Sequence, residues 1–344
     1  MTSSRWIGVC IFLYGILYSY TSGAPLEKLW RLNFYFRDYR LFDRNSMRKE
    51  GSVEVIDSVF EPKYFEATWL QQIGSNFGEV EQFAWSEAES KLYFVDSVNS
   101  KIFSYHTWTG LDIEYEFNHT KTGKEKTFAR NGPSGIALDI KEANTVYISM
   151  PSKIVRLNLK NGKPLPLDSE SIKEYLYFTV PQSSGVYRVT LGAASQTVER
   201  VTTKVKTPTQ VAFSTRNPKQ AFVGNCVEGD YSVYVFEVDQ SEKEQWTLKQ
   251  EWNIDSLQWN NSTIKKQAGC VRGLTSVNGN LLVTCPGGRI CIVNEQTGAL
   301  KAAVKLYDNV VLNDVAIGAN QIWMASNFSF WRAYLNVQKQ KTDL

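Results

Sequence analysis

Glu81 stands four residues ahead of Trp85 at the head of an alternating stretch, EQFAWSEAESKLYFVDSVNSKIFSYHTWTG, that runs to Gly110. A carboxylate at the start of a strand can hold a cation or move a proton, so it is the first candidate for chemistry. Asp96, which ends the LYFVD run, is the second, although an Asp at a strand-to-turn junction also serves to cap the turn. The chain has two histidines, His106 and His119. No Gly-x-Ser-x-Gly elbow places a nucleophilic serine beside either, and both read as surface residues. His-Glu-x-x-His, Cys-x-x-Cys and phosphate-cradling glycine loops are absent, which leaves zinc, redox and nucleotide chemistry without support.

The cysteines point to an oxidising compartment. Arg5 precedes an apolar run from Trp6 to Tyr20 and the small residues Thr21, Ser22 and Gly23. That pattern predicts a secretory signal over residues 1–23. Its apolar part is short for a bilayer span, and an uncleaved anchor is the alternative. Cys10 falls inside it, leaving Cys226, Cys270, Cys285 and Cys291. An even number in an exported chain predicts two disulfides, with three possible connectivities. A hairpin turn at Asn278-Gly279 would set Arg272 opposite Cys285, and a short loop at PGGR would set Cys285 opposite Cys291. Cys285–Cys291 with Cys226–Cys270 is one arrangement, and the other pairings also meet disulfide geometry. Sequons at Asn118, Asn260, Asn261 and Asn327 are expected surface sites for glycans. The net charge of +3 comes from intermixed signs. No stretch is basic enough for a nucleic-acid surface.

These residues must be positioned by strands. KLYFVD and KIFSYH follow EQFAW, and the same order returns as PSGIALD, VYIS and KIVRLNL, and again as YLYFTV, GVYRVTL and TVERVT. It returns as PTQVAFS, AFVGNC and YSVYVFEVD, as CVRGLTSV, NLLVTC and RICIV, and as LNDVAIG, QIWMAS and FWRAYL. Six copies, each of three or four short strands between turn residues, predict an all-β, six-bladed β-propeller over residues 78–336. One sheet cannot bury both its faces alone, so blades stacked around an axis supply the core. Two sandwich domains are the alternative. Residues 24–77, which include the strand-like VEVIDSVF, are expected to form an arm and a closing strand, and 337–344 a tail. In a propeller the first strand of each blade lines the central channel, so the channel end of the GIALD-like strands is where function is expected.

With these residues in place, the chain resembles the gluconolactonase/regucalcin/luciferin-regenerating-enzyme family of six-bladed, strictosidine-synthase-like propellers. The likeness rests on Glu81-x-x-x-Trp85 with LYFVD, on PSGIALD and PTQVAFS, and on VRGLTSV-NG-NLLVTC-GGRICIVNEQTG. The resemblance implies a calcium ion at the channel mouth, held by one Glu, two Asn and one Asp from different inner strands, which polarises a lactone or ester carbonyl and activates water.

Carried over position by position, Glu81 matches the ligand Glu. Ser134 and Thr209 stand where the family has its two Asn, and Arg272 stands where it has Asp. A guanidinium has no lone pair to give a metal. It is expected instead to pair with Glu81 across the channel. Asn131 is an alternative ligand to Ser134 if that loop is shifted. Asn313 and Asp314 could add oxygens to the channel or merely cap a turn. The expected function is a secreted, diverged propeller that binds a small molecule or an extracellular partner at the channel mouth, with no stable membrane span. A calcium-dependent hydrolase of lactones or related esters, using Glu81, is the alternative.

Overall fold

A computed structural model describes residues 40–41, 52–55, 70–117, 132–139, 142–150, 153–165, 174–191, 198–227, 230–239, 246–254, 270–306, 310–319 and 321–334. The segment expected to be a secretory signal, His119, Asn131 and the sequons at Asn118, Asn260 and Asn261 lie outside them. The described residues form six small antiparallel sheets, the blades of a β-propeller. Among the described residues helical structure is limited to a 3-10 turn at Pro181–Ser183 and a 3-10 residue at Ile254.

Blade I is Val80–Ser86, Lys91–Asp96, Lys101–His106 and Gly110–Glu116, in that order from the axis outward. Blade II is Gly135–Leu138, Thr145–Met150, Lys153–Asn158 and Lys163–Leu165. Blade III has three described strands, Glu174–Val180, Gly185–Leu191 and Val198–Thr202. Blade IV is Pro208–Phe213, Gln220–Asn225, Ser232–Val238 and Trp246–Asn253. Blade V begins Leu274–Val277, Asn280–Cys285, Arg289–Asn294 and Leu300–Lys305. Blade VI begins Leu312–Gly318, Gln321–Ser326 and Ser329–Tyr334.

Two blades borrow strands from the N-terminal segment. Leu70–Ser75 pairs antiparallel with Ser329–Tyr334, so the chain's start closes its last blade. Arg40–Leu41 extends that sheet further. Ser52–Val55 pairs with Leu300–Lys305 and gives blade V a fifth strand. The described part of the strand expected within VEVIDSVF, which lies in Ser52–Val55, is therefore real and belongs to a distant blade.

The sequence pattern follows from where each strand sits. Second strands such as KLYFVD, NLLVTC and QIWMAS are buried along almost their whole length. Both their faces press on neighbouring blades, so they are apolar throughout and do not alternate. Fourth strands at the rim, such as WTLKQEWN, expose every polar residue they can. Each seam between blades is an apolar cluster. Phe83, Phe94 and Phe103 of blade I meet Trp323 and Phe330 of blade VI. Trp85 stacks on Trp323 with ring centroids 6.2 Å apart. That seam joins the first and last blades, and it holds the ring shut. The Asn278-Gly279 hairpin has positive φ at both residues (49° and 76°), as a tight turn between twisted strands requires.

Candidate functional site

The channel-mouth residues sit where the inner strands are irregular. In blade I the register runs Val80↔Asp96 and then Phe83↔Phe94, one residue out of step, so Glu81 and Gln82 form a β-bulge. Thr209 and Gln210 form the same bulge between Pro208↔Asn225 and Val211↔Val223. Asn313 does so between Leu312↔Ser326 and Asp314↔Ala325. A bulge bends the strand and re-aims its side chains. In blades I and IV it leaves two consecutive residues free of the ladder, and in blade VI it leaves Asn313, with Asp314 following it opposite Ala325.

The second residue of each pair is a staple to the next blade. Gln82 Oε1 accepts the backbone N–H of Ile136 at 3.2 Å, from blade I to blade II. Gln210 Oε1 accepts Leu274 N–H, from blade IV to blade V. Asp314 Oδ2 accepts Phe83 N–H at 2.7 Å, from blade VI back to blade I. Where the next blade receives a staple, glycine can stand at the matching position: a Cβ on Gly135 would lie 2.8 Å from Gln82 Oε1. A Cβ on Gly273 would lie 2.4 Å from the Cα of Asp314, a backbone atom that cannot swing aside. Gly273→Ala should therefore cost about 1–3 kcal/mol by overpacking, seen as a lowered urea midpoint. An unchanged midpoint would mean that blades V and VI part freely at the mouth.

The first residues of the pairs and their equivalents are the positions singled out from the sequence. Glu81 is half-buried, and its Oε1 accepts Ser97 Oγ at 3.4 Å. The same hydroxyl lies 3.5 Å from Glu79 Oε2, so two carboxylates flank Ser97. Ser134 is exposed, and its N–H donates to Ser149 O at 2.9 Å. Thr209 Oγ1 donates to Val271 O at 2.8 Å, and Thr179 Oγ1 donates to Thr209 O at 2.7 Å. Arg272 Nη1 donates to Asn313 Oδ1 at 3.0 Å, and Asn313 Nδ2 donates to Val80 O at 2.9 Å. Among the described residues no ion pair joins Arg272 to Glu81, which corrects the expectation that they would meet. Blade VI lies between them, and Asn313, which is 6% exposed, takes the guanidinium first.

Asp314 is the most constrained group here. It is 2% exposed, and its Oδ1 is buried without a hydrogen-bond partner. Burial pushes its pKa up to about 7, and the Glu81 charge adds to the rise. The N–H groups of Phe83 and Val315 oppose the shift, and the Gln210 amide is near enough to oppose it without closing a bond to Oδ1.

Loops leading into the inner strands are pinned from behind. Asp96, fully buried, accepts Gly78 N–H at 2.9 Å, Glu79 N–H at 3.2 Å and Asn99 N–H at 3.0 Å. It caps turns, as the alternative reading had it. At the ends of later second strands Asn225 Oδ1 accepts Thr207 N–H at 3.0 Å, and Thr284 Oγ1 accepts the N–H groups of Arg272 and Gly273. The residues differ in type, so this recurrence is hidden in the sequence. Glu79, Ser97, Gln82 and Gln210 were missed for a related reason. Only the Gln, Gly or Asp just before the apolar inner strands (Gln82, Gly135, Gln210, Gly273, Asp314) could have pointed to the staples.

Both disulfides lie at this end of the molecule. Cys226–Cys270 joins the end of blade IV's second strand to the start of the Val271-Arg272 loop. Cys285–Cys291 clips the blade V hairpin. Cys285 is opposite Arg289 and Val283 is opposite Cys291, so this bridge runs diagonally and not straight across as the loop count suggested.

No protein-family model matches the sequence, and no curated protein does. Solved structures do match. A gluconolactonase from Xanthomonas campestris superposes with a TM-score of 0.60 at 13% identity, over 82% of this chain and 94% of that one. The chain has the fold of the gluconolactonase–regucalcin propellers. A luciferin-regenerating enzyme matches with a TM-score of 0.54 at 15% identity, over 83% and 95% of the two chains. A calcium-binding regucalcin from Agrobacterium tumefaciens matches with a TM-score of 0.54 at 10% identity, over 75% and 91%.

Measured against the calcium ligands that the gluconolactonase-type resemblance implies, the donor set of this chain is a poor fit. Glu81 can offer oxygen, and Glu79 lies beside it. Thr209 offers a hydroxyl, a weaker metal ligand than an amide carbonyl, and the Asn313 carbonyl oxygen is taken by Arg272. The fourth position brings a fixed positive charge where a dication would gather negative ones. Among the described residues no three His, Cys, Asp or Glu side chains converge on one point.

Proposed function

We propose that this protein is a secreted, diverged gluconolactonase/regucalcin-like propeller that binds a polar small molecule at the channel mouth without a catalytic metal. The observation that carries the reading is Arg272 held by Asn313 in the position of a metal-ligand carboxylate. Arg272 supplies a cation for an anionic or carbonyl oxygen, while Glu81 and Glu79 supply acceptors for a hydroxyl or ammonium group. Two disulfides support an oxidising compartment, and among the described residues no helix is long and apolar enough to cross a membrane. The pairing of Glu79 and Glu81 about Ser97 favours a second reading, a calcium-dependent hydrolase of lactones or related esters.

Calcium titration calorimetry separates the two, run beside a lactone hydrolysis assay. The expected result is no stoichiometric calcium heat and no turnover. One equivalent of calcium bound, lost in Glu81→Gln together with lactone turnover, would overturn the proposal in favour of the hydrolase.

A further inference from the structure

Asn327, Phe328 and Ser329 form a sequon at the turn that joins the second and third strands of blade VI. Ser326 pairs with Ser329, so Asn327 and Phe328 are the two-residue tip. This tip lies at the seam with blade I and against the strand that carries Glu81. Asn327 O accepts Val80 N–H at 2.8 Å, and Phe328 O accepts Phe77 N–H at 3.3 Å.

The Asn327 side chain is divided in its surroundings. Its Oδ1 is buried with no hydrogen-bond partner, while among the described residues nothing binds Nδ2, which stays open to solvent. Nδ2 is the atom that carries sugar in an N-linked glycan, and the linkage leaves the carbonyl oxygen in place. Next to it Phe328 is 62% exposed, a large apolar ring standing free on the channel-mouth face. A ring so placed is a surface for the apolar C–H face of a sugar.

We infer that Asn327 is an N-glycan attachment site rooted beside the channel mouth, and that its first sugar covers Phe328. In the transfer, Nδ2 bonds to the anomeric carbon of a lipid-diphosphate-linked oligosaccharide. The anomeric C–O bond breaks, the lipid diphosphate leaves with the electron pair, and one amide proton is lost. In the folded protein Ser329 is 6% exposed, and its Oγ is engaged with Ser326 Oγ at 2.7 Å and Trp331 Nε1 at 3.0 Å. The sequon hydroxyl is thus free only before blade VI packs, and the transfer precedes that step. That the glycan overhangs a ligand's path rests on the reading of the mouth as a binding face; its attachment does not.

The test uses the full chain secreted from eukaryotic cells. Peptide mass mapping after enzymatic cleavage at the glycosyl-asparagine bond should find Asn327 converted to Asp in most copies. Ser329→Thr should keep the modification, and Asn327→Gln should lose it. Hydroxyl-radical footprinting should label Phe328 several-fold more strongly once the glycan is removed. An unmodified Asn327 on the secreted wild-type protein would overturn the attachment, and Phe328 labelling indifferent to the glycan would overturn the covering. Ligand binding plays no part in either readout, so failure here is separate from failure of the proposed function.

Discussion

Unfolded in urea across a pH series, the protein will lose stability on going from about pH 5 to about pH 8, by roughly 3 kcal/mol from one group, Asp314. The carboxyl is fully inside the ring, and burial raises its pKa from 3.8 in the unfolded chain to about 7 in the folded one. Between those values the folded state holds a proton that the unfolded state has released, so each rise in pH favours unfolding. Above about 7 both states are ionised, and the loss levels off. Below about 4 both are protonated, and the contribution is at its fullest. Asp314→Asn should flatten this dependence, since its carbonyl oxygen can still accept Phe83 N–H while carrying no charge. Other acids move the curve too, so the difference between wild type and Asp314→Asn is the quantity to read. A difference that does not change with pH would show that Asp314 ionises in the fold without penalty.

The same residue illustrates what was legible in the sequence. Asn313 and Asp314 were visible as polar residues opening a strand, which left turn-capping and channel-lining equally open. What decides between them is the one-residue slip between Leu312↔Ser326 and Asp314↔Ala325. A bulge is hard to read in a sequence, because it leaves no mark in composition and only shifts the phase of alternation by one residue. Gln82 and Gln210 were passed over for this reason, and both proved to bridge blades.

The fold itself was legible because it rests on repetition. Buried second strands must be apolar on both faces, and KLYFVD, AFVGNC, NLLVTC and QIWMAS announce them in the same place in their copies. YLYFTV belongs with them. Thr179, near its end, reaches Thr209 at the channel mouth, as the end of a second strand does. Blade III's described strands therefore correspond to the second, third and fourth of the other blades. Long-range closure was less visible. VEVIDSVF showed strand character, but nothing in it named Leu300–Lys305 as partner. The Glu81–Arg272 pairing failed similarly, because reading one position per blade ignores the neighbour that intervenes, here Asn313.

The second large effect concerns what keeps Arg272 in that place. Cys226 and Cys270 are 44 residues apart in sequence, and Cys285 and Cys291 are 6 apart. If a crosslink acts chiefly on the entropy of the unfolded chain, opening the longer loop costs about 4 kcal/mol and the shorter about 2 kcal/mol. Alanine pairs alone would blur this, because Cys285 and Cys291 are buried in the cluster between blades IV and V, and truncation there leaves a cavity. Comparing each alanine pair with the wild type, both under reducing conditions, isolates the packing term, and the remainder is the crosslink. The Cys226–Cys270 remainder should be the larger by roughly 2 kcal/mol. Equal remainders would mean that the unfolded chain already holds residues 226 and 270 together. The longer bridge should also matter for the mouth. Cys226 N–H donates to Thr207 O at 2.8 Å, ahead of Thr209, and Cys270 opens the Val271-Arg272 loop. One bond thus tethers the approach to two of the candidate positions, and its loss should loosen the site before it unfolds the blades. In hydrogen exchange the amides of Thr207, Arg272 and Gly273 should speed up in Cys226→Ala/Cys270→Ala, while those of the blade I–VI seam hold. Uniform acceleration across all six blades would instead make the bridge a global staple with no special hold on the mouth.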